Sequence, residues 1–270
     1  MQFGGQDWDR ARKDLQQFGR YHSLTLPGGE RLDGLISEAT LQRRIEKLGV
    51  PLSLSGKRAL DIGCWDGWFS FELERRGATV TAIDLVEQPS MRKAISEMNS
   101  RVDYRARTVY DLDPRDGQFE IVLCLGVLYH LKHPLLALEK VCAVTLDTAY
   151  IETFVTDGID GIDDRPRADF YEAEELAGQF DNWCGPNVAC VLAMLRAAGF
   201  ATAEYLGNLG ERAHFVARRR VAAAGAPAPC AIHGLQNALD QSLEFWYKDD
   251  PYVSLYVLAG SMDGLAIRVG

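Results

Sequence analysis

A basic excess, paired cysteines and long apolar runs are all missing from this sequence. Lysine and arginine number 29 against 38 aspartates and glutamates, a formal net charge of −9. That balance opposes tight nucleic-acid binding through a broad basic surface, because such binding draws its affinity from neutralising phosphates. The six cysteines, Cys64, Cys124, Cys142, Cys184, Cys190 and Cys230, contain no C-x-x-C pair, and most lie in apolar runs. The expectation is therefore buried thiols, with no disulfide and no metal site. No apolar run approaches the length of a membrane span, and Met1 to Arg20 is polar throughout. A spanning helix is excluded, no membrane partner is expected, and the cytoplasm is the expected location. No internal repeat is visible.

What is present is ordinary globular composition, 47% hydrophobic and 25% charged, in a chain long enough for one large core with additions. Trp8 to Leu48 reads as two helical pieces separated by Leu26-Pro27-Gly28-Gly29, a turn signal, so residues 1–56 are expected to form a helical cap. From Lys57 the pattern alternates. A short apolar run ends at Asp61, a glycine-containing loop leads into a helix over Trp68 to Arg76, and a strand follows over Thr79 to Asp84. Further strands are predicted near Asp103 to Val109, over Phe119 to Leu128 and over Tyr150 to Val155, with a helix opened by His133-Pro134. Strands alternating with helices imply a mostly parallel sheet covered on both faces. After an Asp-rich loop, a helix over Pro186 to Ala198 stops at Gly199, and two strand-like runs, Ala201 to Leu206 and Ala213 to Arg219, form a closing hairpin. Residues 57–220 thus make one α/β domain. Residues 221–270 read as an Ala/Pro-rich linker and a short tail whose Phe245-Trp246-Tyr247 is expected to pack, with a second copy in a homodimer as the candidate partner.

The sharpest signal is Asp61-Ile62-Gly63-Cys64-Trp65-Asp66-Gly67 between the first strand and the first helix of a βαβ unit. There glycines let the backbone turn tightly in the crevice where open α/β sheets bind nucleotides, and Gly63 and Gly67 are assigned that task. Asp84 ends the next strand, where a carboxylate accepts hydrogen bonds from both hydroxyls of a ribose. The loop is G-x-x-x-G, with Trp65 where a dinucleotide site has its second glycine. No cradle for a pyrophosphate opens, and a terminal antiparallel strand likewise departs from dinucleotide folds.

On these residues, the segment from Lys57 to Arg220 resembles a class I S-adenosylmethionine-dependent methyltransferase, a Rossmann-like three-layer sandwich with a seven-stranded sheet. Gly126-Val127-Leu128-Tyr129-His130, then Pro134-Leu135, Asn182-Trp183 and Pro186-Asn187, is similar to the bacterial tRNA wobble-uridine methyl/carboxymethyl transferases. The resemblance implies S-adenosylmethionine as cofactor, with carboxy-S-adenosylmethionine as the alternative its subfamily raises. It implies that Asp61 holds the methionine end through its surroundings, that Gly63, Trp65 and Gly67 border the cofactor and that Asp84 binds the ribose. Leu85 and Val109 would sandwich the adenine, and Tyr110 or Asp111 would address its amino group.

Methyl transfer from a sulfonium needs alignment, and a base only if the nucleophile starts protonated. Tyr129 and His130 follow the fourth strand at the reactive edge; His130 is the candidate general base, an alternative being a histidine that fixes the following loop. Tyr129 would wall the pocket or, by the resemblance, recognise the carboxylate of the carboxylated cofactor. Tyr21 and His22 are read as a segment folding over the cofactor mouth or as a polar turn, and Glu152 and Trp183 as lining the acceptor pocket or as packing. The expected activity is methyl transfer to an oxygen or nitrogen of a small organic acceptor, probed against two alternatives: a tRNA wobble-uridine transferase and a nucleoside-binding domain without catalysis. A secondary metabolite is the acceptor class expected.

Overall fold

A computed structural model describes residues 20–157 and 164–219; the first predicted helical piece before Arg20, part of the Asp-rich loop, and the linker and tail lie outside them. Where two helices were expected before Lys57, the described cap holds one. Leu24–Thr25 (β1) and Arg31–Leu32 (β2) pair antiparallel around the predicted turn, closed by Gly29 N–H donating to Leu26 O at 2.8 Å. Glu38–Leu48 (α1) follows. Ser37 caps its first turn by accepting from Thr40 N–H, and Gly49 ends it in the left-handed conformation, so both ends are set locally.

The domain then runs Arg58–Ile62 (β3), Trp68–Arg75 (α2), Thr79–Asp84 (β4), Pro89–Glu97 (α3), Asp103–Ala106 (β5), Phe119–Leu125 (β6), Pro134–Val144 (α4) and Thr145–Phe154 (β7). Ala168–Phe170 (β8) and Cys184–Pro186 (β9) form a small separate sheet, and Val188–Ala197 (α5), Thr202–Leu209 (β10) and Arg212–Arg218 (β11) complete the order. The main sheet has seven strands in the order β10-β11-β7-β6-β3-β4-β5. Strands β7, β6, β3, β4 and β5 are parallel, while β11 pairs antiparallel with β7 and β10 with β11. This is the Rossmann-like sandwich expected. The predicted strand to Leu128 stops at Leu125, because Gly126 takes a positive φ of 72° and Leu128–His130 coils into a 3-10 turn.

Core residues divide by face. Residues such as Leu41, Ile45, Phe71, Leu123 and Val216 pack on the α1/α2 side, whereas Leu60, Val122, Leu138, Val191 and Phe215 pack on the α4/α5 side. The alternation along β11 is what splits them: Ala213, Phe215 and Ala217 face one layer, and Arg212, His214 and Val216 the other. The chain leaves β3 toward β4 on one side and returns to β6 on the other, so a topological switch point opens at the C-terminal end of β3. The five cysteines in the described residues are free thiols. No helix among those residues is long and apolar enough to cross a membrane.

Candidate active site

The loop after β3 is pinned across the switch point. Gly63 and Cys64 N–H both donate to Ile83 O, at 2.8 and 3.1 Å, and Trp65 N–H donates to Asp84 Oδ2 at 2.9 Å. Gly63 has φ 71°, and a Cβ there would overlap Val127 Cγ2 from the loop after β6, so glycine lets the two loops that flank the crevice touch. Gly67 at φ 86° serves a different end. A Cβ there would overlap Met91 Sδ and crowd Phe71, so its missing side chain seats α2 against α3 and faces the core rather than the crevice. Trp65 adopts φ 48° and stays partly exposed, its ring 5.6 Å from that of Tyr21.

Asp84 ends β4 and is nearly buried. Burial raises its carboxyl above the usual range, opposed by hydrogen bonds from Trp65, Val86, Gln88 and Leu85. Asp61, wholly buried in β3, accepts from Ser70 Oγ at 2.6 Å; burial pushes it up to about 7, Ser70 opposes the shift, and Asp84 adds to it. A cationic ligand end beside these two acids would relieve that repulsion. Leu85 stands 70% exposed beside Asp84 and offers an apolar wall, whereas Val109 is packed in the core with only 4% exposed and presents no such face. Tyr110 is also committed elsewhere: its hydroxyl accepts from His133 N–H at 3.1 Å and so ties down the residue before α4. Asp111 closes the capping box of its own 3-10 turn.

The Tyr21-His22 segment is tied to the loop through Asp66. Asp66, buried inside the motif, accepts from the backbone N–H of Tyr21 and of His22, the latter at 2.9 Å, and from Ser90 Oγ. Nothing in the local pattern marks out this acid, because its partners stand 24 to 45 residues away in the sequence. Tyr129 and His130 lie on the 3-10 turn after β6. Tyr129 is buried, which pushes its phenol up to about 12, and the Arg212 guanidinium lies 4.5 Å from the centre of its ring. His130 Nδ1 is 3.2 Å from Asp181 O. A carbonyl can only accept, so Nδ1 carries the hydrogen and Nε2 holds the lone pair. Burial lowers the His130 pKa against the pull of the Asp181 carboxylate, so the ring is neutral at neutral pH.

The separate β8–β9 sheet covers this edge. Trp183 N–H donates to Tyr129 O at 2.8 Å and Tyr171 N–H to Trp183 O at 3.1 Å. Trp183 carries Lys132 Nζ 3.9 Å from its ring centre and lies 6.2 Å from the Phe170 ring. Glu152 near the end of β7 is buried, pairs in register with His214 of β11, and lies 3.9 Å from both Arg44 and Arg212. Nothing in the sequence singles out Arg44, Arg212 and His214; only the antiparallel register and the packing of α1 bring them to Glu152, while the buried Arg20 acts on His22 in the cap segment.

Residues 36–213 match a family model described as a methyltransferase domain. Among curated proteins the chain is 40% identical over 94 residues to a ubiquinone biosynthesis O-methyltransferase of Dechloromonas aromatica, and 39% identical over 108 residues to that of Marinobacter nauticus. Those matches cover 34% and 38% of this chain, and 40% and 45% of the relatives, so the chain spans less than half of either. Among solved structures, the N-terminal domain of EvdMO1 with SAH bound aligns at a TM-score of 0.57 and 21% identity, covering 80% of this chain and 98% of that one. The [4+2]-cyclase SpnF aligns at 0.56 and 17%, covering 81% and 95%. These two likenesses concern the fold. Neither curated relative carries the wobble-uridine name that the Gly126 to His130 pattern suggested. A family model matched across about two thirds of the length, on a class I methyltransferase sheet, settles the lineage: the chain belongs to the methyltransferase-domain family.

Proposed function

We propose that the protein transfers a methyl group from S-adenosylmethionine to an oxygen or nitrogen of a small organic acceptor, with a secondary metabolite as the acceptor class. The observation that carries the reading is the loop from Gly63 to Gly67 tied to Asp84 at the switch point of the sheet. Bound there, S-adenosylmethionine supplies a methyl on a sulfonium sulfur, which an acceptor atom displaces in line. Asp84 would accept from the ribose hydroxyls and Leu85 would cover one face of the adenine, with Val109 supporting that wall from the core. Asp61 and the backbone at Gly63 would border the cationic amino-acid end. Tyr21 and His22, clasped to Asp66, would close over it. His130 would take the acceptor proton at Nε2, its ring held by Asp181, while Tyr129, Glu152 and Trp183 would shape the acceptor side.

The O-methyltransferase name of the curated relatives supports oxygen as the acceptor atom. Carboxy-S-adenosylmethionine is the competing cofactor, favoured by the Arg212 guanidinium against Tyr129. The SpnF likeness bears on the alternative without methyl transfer, since a protein named as a cyclase shares the fold. Calorimetry of the full chain with S-adenosylmethionine, its carboxylated relative and S-adenosylhomocysteine tests the reading. Heat with the first and third, lost in Asp84→Ala, supports it; no heat with any of the three overturns it. A tRNA complex would instead appear as retention that weakens steeply with salt.

A further inference from the structure

The face of the sheet under α1 holds a group of charged side chains whose charges the methyl-transfer step does not require. Glu152 is 1% exposed and His214 wholly buried, side by side on β7 and β11. Arg44 reaches in from α1 and Arg212 from the start of β11, each 3.9 Å from a different Glu152 oxygen, too far for a hydrogen bond. Arg20 and His22 enter from the cap segment, both buried. Among the described residues, Glu152 Oε1 and Oε2, Arg212 Nη1, Arg20 Nε and Nη2, His22 Nδ1 and both ring nitrogens of His214 lack a hydrogen-bond partner. So many buried polar atoms without partners in one place would cost several kcal/mol unless something fills them, at about 1–3 kcal/mol each.

The sign of the filler follows from the charges. Two guanidinium groups, of Arg44 and Arg212, face one carboxylate, and Arg20 and Arg44 both act on His22 beside it. Both histidines are neutral: burial, with Arg44 and Arg20 adding to it, drives His22 down to about 3, and burial lowers His214 against Glu152. Asp66 offers no further balance, since its carboxylate is spent on Tyr21, His22 and Ser90. The surplus is cationic, in a chain whose net charge is −9. Its idle donors, on Arg20 and Arg212, are of the kind that grips carboxylates in a fork.

We infer that Arg20, Arg44 and Arg212 form a subsite for an acidic group on the methyl acceptor, a carboxylate by preference, with Glu152 keeping the guanidinium groups apart until that group enters. The inference rests on the methyltransferase reading and names its substrate class: an organic acid. The subsite adjoins Tyr129 through Arg212, so the acid would anchor the acceptor beside the reactive edge. Entry requires the cap segment at Arg20 to His22 to lift from Asp66.

Benzoate and benzamide, alike in shape and different in charge, are the probes. Each is titrated into the full chain saturated with S-adenosylhomocysteine, whose own binding is measured first. Benzoate is expected to bind at least tenfold tighter than benzamide, and Arg20→Gln or Arg44→Gln to shrink that preference below threefold. Glu152→Gln, which removes the carboxylate facing Arg44 and Arg212, is expected to strengthen benzoate binding severalfold, whereas a purely structural carboxylate would weaken both probes alike. Equal binding of the two probes, binding of neither, or a uniform loss in all three variants overturns the inference while leaving the methyltransferase reading intact. Failure of S-adenosylhomocysteine to bind strikes the methyltransferase reading itself. A preference for carboxy-S-adenosylmethionine that Arg20→Gln abolishes, without any benzoate preference, assigns the charge to the cofactor and also overturns the inference.

Discussion

The two sides of the crevice are built in opposite ways. On the β3–β4 side, the loop N–H groups donate to Ile83 and Asp84, Ser70 satisfies Asp61, and Asp66 holds the cap segment. On the β7–β11 side, Glu152 and His214 are just as buried, and their polar side-chain atoms, with Arg212 Nη1, lack hydrogen-bond partners among the described residues. A site whose polar groups are already paired is preorganised and recognises a ligand through a few remaining atoms, whereas one full of idle donors and acceptors is shaped for a ligand that completes it. The first side is the one proposed to hold the cofactor; the second is the one proposed to take the acid of the acceptor.

The comparison breaks first at Asp84. Asp84→Ala should weaken S-adenosylhomocysteine binding by about 10²-fold, the worth of two charge-assisted hydrogen bonds, and leave benzoate affinity nearly unchanged; calorimetry reads both. His130→Ala should lower turnover by about 10²-fold with little change in the cofactor dissociation constant. Because burial lowers the His130 pKa, the acid limb of the wild-type kcat/KM profile should fall below the ordinary histidine value. A near-normal rate in the variant makes His130 the residue that fixes the loop at Asp181.

Two glycines test the frame itself. Gly67→Ala should lower stability by roughly 2–3 kcal/mol, since it adds overlap with Met91 to the strain of a positive φ. Gly49→Ala, with a similar φ and open space around it, should cost only about 1 kcal/mol; denaturant midpoints separate them.

Asp61 supplies a pH test with a definite sign. Its folded pKa, about 7, lies above its unfolded value, so its contribution to stability is complete in acid and is lost as the pH rises through 7. Thermal melts should show wild type losing stability relative to Asp61→Asn between pH 5 and 8, and affinity for the cationic cofactor should rise over the same window. The smallest effect is expected from Tyr110→Phe, which removes one acceptor at the start of α4 and should cost about 0.5–1 kcal/mol without altering cofactor affinity. A large loss of affinity there would restore Tyr110 to the adenine site.

Much of this frame could be read along the chain. The strand over Thr79 to Asp84 and the helix after Asn187 were placed within a residue or two, because apolar periodicity and caps are local signals. The helix over Pro89 to Glu97 went unread, and the β8–β9 sheet, with three paired positions and exposed side chains on β8, carries too little periodicity to announce itself. Val109 looked like an adenine wall from its place after a strand. Its burial belongs to a core it shares with Leu60 and Ile83, which lie far from it in the sequence.

What the chain order determined by itself was the βαβ frame, the glycine loop and the acid that follows it, since each depends on residues close in sequence. Only the tertiary structure decided that Asp66 clasps Tyr21 and His22 and that Arg44, Glu152, Arg212 and His214 meet under one helix. Those groups lie on separate elements, and antiparallel register and helix packing, not spacing along the chain, set which charges face one another.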